Sequence, residues 1–408
     1  DSRRAQHGKS ELFSNLPNGS YQENREAMKS FDVAVIGAGV FGSWTAWHLA
    51  RSGKKVLLLD AYGPAHSRAS SGGESRIIRM GYGKDEIYSA WARRSLGLWQ
   101  EFFQRTARPL FHRTGVLWLV AAGDTHARET LEVFQKLGIE HEKLSRSEME
   151  TRYPQFDLGE TSWGILEPGS GALMARQAVQ AVVEDAVKMG VTDRRSSVAY
   201  DAARRNVLEL IAGEWKSVPA GTFVFACGPW LAKVFPELLG SRIFPTRQEV
   251  FFFGTPAGDA RFSPPALPVW IDSAAEAYGF PDLERRGLKV GQDQHGPRFD
   301  PDSGDRTPGA EGLQTIRSYV TSRFPDLKNA PVVESRVCQY ENTSSGDFLI
   351  DRHPEDDRVW LVGGGSGHGF KHGPAIGEYV TAMICGQGEA NPRFSLDSKA
   401  TVQKRAIF

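Results

Sequence analysis

The stretch Phe31-Asp-Val-Ala-Val-Ile-Gly37-Ala-Gly39-Val-Phe-Gly42 decides the fold class of this chain. The four apolar residues 33–36 predict a short buried strand, and the glycine turn after them opens a helix that runs through Ala50. Gly53 ends that helix, and the apolar run 56–59 predicts a second buried strand. Strand, helix and strand within about 30 residues form a βαβ unit with parallel strands, which predicts an α/β fold.

The glycines of this turn have the spacing of a dinucleotide-binding site. Gly37 permits the tight turn, Gly39 lets the backbone approach a pyrophosphate, and Gly42 lets the helix pack closely on the strand. The free N–H groups and positive dipole of the helix N-terminus favour phosphate, and Asp60 at the end of the second strand can accept hydrogen bonds from ribose hydroxyls. Both NAD and FAD use this unit, so it does not distinguish them. The predicted dinucleotide contacts are Gly37, Gly39, Val40, Phe41, Gly42 and Asp60.

Length, charge and cysteine content narrow the classes of protein. The 408 residues exceed what one hydrophobic core usually supports, so two domains are expected. Lys+Arg and Asp+Glu both number 49, and this balance gives no reason to expect a nucleic acid or an anionic membrane as partner. No apolar run approaches the roughly 20 residues that span a bilayer. Three cysteines spaced far apart, Cys227, Cys338 and Cys385, indicate no disulfide framework or metal site and favour a cytoplasmic location.

Neither end of the given sequence contains a recognisable targeting signal. Residues 1–27 are polar and of mixed charge, which predicts a flexible leader. The final residues Arg405-Ala-Ile-Phe408 lack a peroxisomal Ser-Lys-Leu signal.

Hydrophobic periodicity predicts the remaining elements in outline. The predicted helices cover 86–103, 172–188, about 313–324 and a closing segment from Gly373; the predicted strands cover 116–120, 223–226 and 359–362, with a β-rich stretch over 241–300.

Several further blocks occur in a fixed order after the βαβ unit. They are Ser70-Ser-Gly-Gly-Glu-Ser-Arg76-Ile-Ile-Arg79-Met-Gly-Tyr-Gly83, then Tyr278-Gly-Phe-Pro281 with Gly287-Leu-Lys289-Val-Gly291, then Cys338-Gln-Tyr340 with Asp347-Phe-Leu-Ile-Asp351-Arg-His-Pro354, and last Gly365-Ser-Gly-His-Gly-Phe-Lys371. In this combination the chain resembles the monomeric sarcosine oxidase family of FAD-dependent amine oxidases, a group related to D-amino acid oxidase. The resemblance extends from Phe31 to about residue 390.

The resemblance implies a two-domain flavoprotein oxidase fold. A Rossmann-like FAD-binding domain is expected from the discontinuous segments 28–110, 170–240 and 338–400. A substrate domain with a mainly antiparallel sheet is expected from 111–169 and 241–337.

The resemblance also implies roles for charged and nucleophilic residues. Cys338 matches the cysteine that attaches covalently to the flavin, a reaction that a nearby positive charge would favour; taken alone it would read as a buried structural cysteine. Lys289 matches the lysine that promotes reaction with oxygen through its charge. Arg79 and Lys371 match the pair that holds the substrate carboxylate, and Arg76 matches a residue beside the flavin ring.

Aromatic and glycine residues complete the implied site. Tyr278 and Tyr340 match aromatic residues of the substrate cavity, although packing in the wall is an equally good reading from sequence. The glycine-rich block would let the backbone approach the flavin, and the helix after Gly373 would direct its positive end towards N1 and C2=O. The remaining cofactor contacts implied are Ser70, Arg76, Gly365, Gly367, His368, Gly369 and Lys371.

The sequence departs from the sarcosine oxidases around the amine. Ser71 and Gly72 stand where those enzymes carry two histidines, Asp293 replaces a further histidine, and Trp270 is expected in place of a methionine of the cavity wall. The implied substrates therefore include N-methyl amino acids, cyclic imino acids and fructosyl amino acids.

The reaction implied is oxidation of a small secondary amine by a monomeric enzyme that uses oxygen. Its products would be an imine, which hydrolyses in water, and hydrogen peroxide. One alternative is a flavin dehydrogenase of the same fold that passes electrons to a carrier. Another is a non-catalytic or RNA-modifying protein, against which the zero net charge and the Arg79 and Lys371 pair both count.

Overall fold

The computed structural model describes residues 30–404. The predicted leader 1–27 and the C-terminal residues 405–408 lie outside this range.

A six-stranded sheet is built around the βαβ unit that the sequence predicts. Its spatial order is β19-β20-β13-β1-β2-β9, and every neighbouring pair is parallel except the antiparallel pair β19 and β20. These strands are β1 (Phe31–Ile36), β2 (Val56–Asp60), β9 (Thr192–Arg195), β13 (Ala220–Phe225), β19 (Leu349–His353) and β20 (Asp356–Gly363).

Both faces of this sheet are covered, which explains the continuous apolar runs of its central strands. Val33 and Val35 belong to a core cluster shared with the helices, whereas Ala34 and Ile36 belong to a second cluster on the opposite face. The second cluster includes Tyr200, from a small antiparallel sheet that packs there. That sheet contains β10 (Val198–Asp201), β11 (Asn206–Ile211) and β12 (Glu214–Ser217).

The helices that cover the first face include the one opened by the glycine turn. The first helix packs against the fifth and ninth, and the ninth also packs against the second. The helices of the described residues are α1 (Val40–Arg51), α2 (Glu86–Thr106), α3 (Thr125–Leu137), α4 (Arg146–Arg152), α5 (Ala175–Lys188), α6 (Leu231–Val234), α7 (Pro236–Leu239), α8 (Ala310–Arg323) and α9 (Gly373–Ile384).

An eight-stranded sheet forms the second layer of the protein. Its order is β18-β14-β17-β16-β15-β5-β7-β6; the pair β15 and β5 is parallel, and the other neighbouring pairs are antiparallel. These strands are β5 (Val116–Ala121), β6 (Glu142–Ser145), β7 (Thr161–Glu167), β14 (Phe244–Phe253), β15 (Val269–Asp272), β16 (Ala277–Phe280), β17 (Leu288–Gln292) and β18 (Val332–Asn342). A parallel sheet beside a mainly antiparallel one confirms the predicted fold class.

Side-chain alternation divides the eight-stranded sheet into a packed face and a functional face. Leu288 and Val290 of β17 pack in the core cluster that contains Ile316 and Val320 of α8. Because successive side chains point to opposite faces, Lys289 between them points away from α8. This alternation gives Lys289 its access to a cavity.

One predicted helix begins later than expected, because its first residues belong to a strand of a three-stranded sheet. Residues 172–174 were expected in a helix over 172–188, but they belong to a strand, and the helix begins at Ala175. The strand pairs on both sides, and a Cβ atom at Gly171 would lie 2.1 Å from the carbonyl oxygen of His112. Tertiary pairing therefore outweighs the helical pattern. The sheet contains β3 (Ser75–Ile78), β4 (Phe111–His112) and β8 (Gly171–Met174).

Within residues 30–404, no helix combines the length and apolar character needed to cross a bilayer.

Candidate active site

The turn between β1 and α1 leaves no room for side chains at two of its glycines. Gly37 has a φ of +103°, and a Cβ atom there would lie 2.3 Å from the carbonyl oxygen of Ala226. At Gly42 a Cβ atom would lie 1.9 Å from the carbonyl oxygen of Gly37. These contacts require glycine at both positions: Gly37 permits the tight turn, and Gly42 lets the helix pack closely on the strand.

Asp60 fixes the turn through both of its carboxylate oxygens. Oδ2 accepts a hydrogen bond from the amide of Ala38 at 2.8 Å, and Oδ1 accepts from the amides of Tyr62 and Gly63, both at 2.8 Å. Asp60 also lines the larger cavity described below. Because each carboxylate oxygen has two lone pairs, Oδ2 can still accept one further hydrogen bond from a ligand, whereas Oδ1 already accepts two.

Ser71, the neighbour of the predicted cofactor contact Ser70, forms a hydrogen bond with the start of α1. Ser71 Oγ accepts a hydrogen bond from the amide of Val40 at 3.1 Å, while Ser70 contributes its carbonyl oxygen to Arg76 at 2.6 Å. Gly72 cannot be a larger residue here, since a Cβ atom would lie 2.1 Å from the carbonyl oxygen of His66. Packing of this loop therefore explains why a histidine is not accommodated at Gly72.

A cavity of about 240 Å³ begins at this turn and extends to Cys338 and Tyr340. Gly365, Gly367 and Gly369 form part of its wall. Three buried polar atoms of residues that line it, Ser70 Oγ, Gln339 Oε1 and Glu341 Oε1, have no hydrogen-bond partner within the described protein. A long cavity with a helix N-terminus and unpartnered polar atoms fits a dinucleotide.

A second cavity, of about 90 Å³, adjoins the first. Arg76, Cys338, Tyr340, Gly367 and Phe370 line both cavities. The second cavity is further lined by predicted site residues Arg79, Tyr278, Lys289, His368 and Lys371, and by Asp293.

Arg79 and Lys371 are both buried at the second cavity, with exposed fractions of 6% and 4%. The Arg79 guanidinium donates to the carbonyl oxygen of Gly81 and lies over the rings of Tyr82 and Trp118, with centroids at 4.5 and 4.9 Å. Lys371 Nζ donates to the Tyr82 hydroxyl at 2.7 Å and to the carbonyl oxygen of His368 at 3.0 Å. Two cations thus meet at one tyrosine.

Glu167 holds the segment that follows Arg79. Its carboxylate accepts hydrogen bonds from the amides of Met80 and Gly81 at 2.8 and 3.2 Å, and from the indole N–H of Trp118 at 2.9 Å. Glu167 is 1% exposed. Glu167 lies far from Arg79 along the chain and belongs to none of the motifs, so no sequence signal marks it.

Tyr82 is the centre of a buried polar network. Its hydroxyl lies 2.8 Å from His372 Nε2 and 3.2 Å from His368 Nδ1, and it accepts from Lys371. Burial, followed by the charges of Lys371 and Arg79, lowers the pKa of His372 well below its usual value. His372 is therefore neutral and adds no positive charge beside the two cations.

His368 takes part in this network through both ring nitrogens. Nε2 lies 3.0 Å from the carbonyl oxygen of Gly346, so Nε2 carries the hydrogen and Nδ1 can accept from Tyr82 when the ring is neutral. The side chain borders the smaller cavity, whereas the glycines beside it border the larger one.

Lys289 projects from the functional face of β17 and is 3% exposed. Its Nζ donates to the Ser75 carbonyl oxygen at 3.0 Å and lies 4.6 Å from the ring centroid of Phe280. Burial, reinforced by the nearby charge of Arg76, lowers the pKa of Lys289 to about 7. A lysine in this state can exchange its proton at neutral pH.

Cys338 lies against a buried guanidinium. One Nη atom of Arg76 is 3.3 Å from Cys338 Sγ, and Arg76 also donates to the carbonyl oxygens of Ser70 and Ser75. The structure thus places two of the predicted site residues, Arg76 and Cys338, in contact.

Tyr278 and Tyr340 both line the smaller cavity. Burial raises the pKa of each hydroxyl, and Asp293 adds to the increase in both. Both rings lie against glycines: Cβ atoms at Gly291 and Gly367 would lie 2.8 Å from Tyr278 and Tyr340, respectively. These glycines make the space that the two rings occupy.

The expectation that Trp270 forms part of the cavity wall is wrong. Trp270 is fully buried on the opposite face of the eight-stranded sheet, where it packs against Phe156 and Phe324 and donates to the Tyr319 hydroxyl at 3.0 Å. Its neighbour Ile271 lines the cavity instead. A shift of one position along a strand reverses the face that a side chain occupies.

The model of the FAD dependent oxidoreductase family matches residues 32–383. The chain belongs to this family of FAD-dependent oxidoreductases. Its relatives include the monomeric sarcosine oxidase of Bacillus sp. (strain NS-129), 32% identical over 92% of this chain and 99% of the relative. The peroxisomal sarcosine oxidase of Homo sapiens is 30% identical over 86% of this chain and 91% of the relative. The sarcosine oxidase resemblance is thus confirmed, and with it FAD as the cofactor of the family.

Solved structures of low sequence identity share the fold of this oxidoreductase. L-proline dehydrogenase from P. horikoshii superposes with a TM-score of 0.78 at 22% identity, covering 90% of this chain and 97% of the other. NikD, an amino acid oxidase of nikkomycin biosynthesis, superposes with a TM-score of 0.72 at 22% identity, covering 90% and 96%.

Proposed function

We propose that this oxidoreductase oxidises the C–N bond of a small secondary amine, an N-methyl or other N-substituted amino acid, and reduces oxygen to hydrogen peroxide. The buried pair of cations, Arg79 and Lys371, is the observation that carries the proposal. Relatives named as acting on such compounds support it, among them the N-methyl-L-tryptophan oxidase of Salmonella heidelberg, 28% identical over 90% of this chain and 97% of the relative.

Arg79 and Lys371 bind the carboxylate of the substrate. Arginine offers a planar pair of N–H donors and lysine a point charge, so one carboxylate can satisfy both groups. Tyr82 keeps the Lys371 ammonium within the cavity, and the neutral state of His372 avoids a third charge beside it. The substrate is thereby fixed with its amine towards the part of the cavity that Cys338 and Tyr340 share with the larger cavity.

The larger cavity would hold FAD, with its phosphates at the N-terminus of α1 and its ring near Arg76 and Cys338. When bound, FAD would supply a two-electron acceptor for a hydride, two electrons with one proton, from the carbon next to nitrogen, and would pass the two electrons to oxygen. Tyr278, Tyr340 and Phe280 limit the entry of water to this region. The imine product leaves and hydrolyses in water.

Lys289 supplies the charge that favours the reaction with oxygen. Its ammonium is held by the Ser75 carbonyl oxygen in a buried setting, where a positive charge stabilises developing superoxide more strongly than in water. Cys338 would attach the cofactor covalently, and its Sγ atom lies 3.3 Å from the guanidinium of Arg76.

A panel of amines tests the proposal. Purified protein is mixed without oxygen with sarcosine, N-methyltryptophan, pipecolate, proline and a fructosyl amino acid, and its flavin absorbance is followed. We expect one class to bleach the flavin, with rapid recovery in air and peroxide formation. Bleaching with slow recovery would instead identify a dehydrogenase, and bleaching by none would refute the substrate class.

A further inference from the structure

A buried carboxyl group in the larger cavity has no role in the reaction described above. Glu341 lies three residues after Cys338 at the end of β18 and is 6% exposed. Its backbone carbonyl accepts from the amide of Ser366 at 2.9 Å, which fixes its position beside the glycine-rich loop. Its Oε1 atom is buried without a hydrogen-bond partner within residues 30–404. A buried polar atom left in this state indicates a missing ligand group.

The glycine-rich loop is shaped around this side chain. A Cβ atom at Gly363 would lie 2.4 Å from Glu341 Oε1, so a larger residue there would displace the carboxyl group from its present position. The amides of Gly364 and Gly365 face the carboxyl and favour its ionised form, but burial has the larger effect and raises its pKa to about 8. No cation in the described part of the chain contributes to this pKa.

The other ionisable groups around the carboxyl are few. The Cys227 thiol faces it from the end of β13, and burial raises the pKa of that thiol, with Asp60 and Glu341 adding to the increase. Asp60, His66 and Arg76 line the same cavity, and so do Lys233 and Asp302, which form a salt bridge of 2.6 Å. Neither Arg76 nor Lys233 is among the causes that set the pKa of Glu341.

Glu341 lines the larger cavity between the residues that would hold the two ends of a dinucleotide. On one side, Gly365 lies against Phe41 in the first turn of α1, where phosphates would bind; a Cβ atom there would be 3.7 Å from the Phe41 ring. On the other side, Cys338 and Tyr340 border the region shared with the substrate cavity. Ribityl and pyrophosphate groups join the two ends of FAD and would pass this point.

We propose that Glu341 binds the ribityl–pyrophosphate portion of FAD as a neutral carboxylic acid and donates its hydrogen to a hydroxyl or phosphate oxygen. An ionised carboxylate would repel the phosphates and could not donate. Binding of FAD therefore raises the proton affinity of Glu341 and takes up one proton when the solution is above the pKa of the free protein. This inference depends on FAD binding alone, not on amine oxidation.

The test measures FAD binding to the apo-protein as a function of pH. A Cys338→Ser background keeps the flavin exchangeable, and the quenching of flavin fluorescence gives the Kd from about pH 6.5 to 9.5. We expect a constant Kd below about pH 8 and a roughly tenfold increase per pH unit above it, the slope of one linked proton. In Glu341→Gln, which keeps the size and a donor but cannot titrate, this slope disappears.

Glu74→Gln is the matched control. Glu74 is also a largely buried carboxylate near the site, but its salt bridge to Arg336 at 2.5 Å opposes the effect of burial, and its pKa is lowered. The Glu74→Gln substitution should therefore leave the dependence of the Kd on pH unchanged. Lys289 also titrates in this range, so the decisive quantity is the difference in slope between the parent protein and its Glu341→Gln variant.

Two results would overturn the proposal. One is an equal slope in the parent and in Glu341→Gln; the other is tighter FAD binding by Glu341→Gln at every pH, which would identify an ionised, repelling carboxylate. A second measurement does not require apo-protein: the infrared difference spectrum of wild-type minus Glu341→Gln holoenzyme at neutral pH should contain the C=O band of a protonated acid. A carboxylate band alone would contradict the inference. A wild-type protein that binds no FAD would instead refute the cofactor assignment.

Discussion

Replacing Lys371 by methionine should weaken the binding of substrates that carry a carboxylate. Methionine keeps the length and apolar stem of lysine but removes the ammonium, which is 4% exposed and held 2.7 Å from the Tyr82 hydroxyl. A hydrogen bond to a charged group contributes about 1.5–3 kcal/mol, so the Kd of the substrate should rise roughly 10- to 100-fold. Arg79 remains in place and is expected to retain part of the affinity.

The assay is anaerobic stopped flow, in which the concentration dependence of the flavin bleaching rate gives an apparent Kd for an N-methyl amino acid and, separately, for its uncharged amide. The acid should lose affinity in Lys371→Met, whereas the amide should bind wild type and variant equally. Comparing the two ligands isolates the charge interaction from any change in packing. An equal loss for acid and amide would show that Lys371 acts only through structure, and no loss for either would refute its contact with the carboxylate.

Three further predictions concern oxygen, the covalent bond and the Tyr82 network. Because burial lowers the pKa of Lys289 to about 7, its charge is present below that pH and lost above it, so the rate constant for flavin reoxidation, measured by stopped flow, should fall above pH ~7. In Lys289→Met this rate constant should be about 100-fold lower and independent of pH. An unchanged rate constant in the variant would exclude a role of Lys289 in the reaction with oxygen. Acid precipitation should leave the yellow flavin on wild-type protein and release it from Cys338→Ser, and release from both would exclude a covalent bond. Tyr82→Phe should lower the free energy of unfolding by roughly 1–3 kcal/mol in urea, because Lys371 and His372 lose a buried partner; unchanged stability would show that water replaces the hydroxyl.

The βαβ unit could be predicted from the sequence because the glycine spacing and the apolar runs that define it lie within a few consecutive residues. The turn requires glycine at Gly37 and Gly42 for steric reasons that sequence spacing already expresses. Residues 33–36 of β1 and 56–59 of β2 are all apolar because helices cover one face of the sheet and a small sheet covers the other. The start of α5 was misplaced because the strand β8 owes its conformation to pairing with β3 and β4, which no local pattern reports.

The candidate site was predictable only where the family motifs mark it. Arg79, Lys289 and Lys371 line one cavity, as the resemblance implied. Trp270 was assigned to the wrong face, since the exact register of a strand decides which side chain enters a cavity. Glu167 and His372 were missed because they act through other residues and belong to no motif. The domain boundaries, the monomeric state and the cytoplasmic location remain predictions.

The residues predicted to hold the flavin lie in both sheets, so the cofactor would also have a structural role. The phosphate-binding turn belongs to the six-stranded sheet, whereas Cys338 lies in β18 of the eight-stranded sheet. A flavin held at both places would act as a tether between the two layers and would stabilise the folded state, because its phosphate contacts exist only when the chain is folded. We therefore expect riboflavin supply during expression to set the yield and protease resistance of this protein, as metal supply does for a small zinc domain.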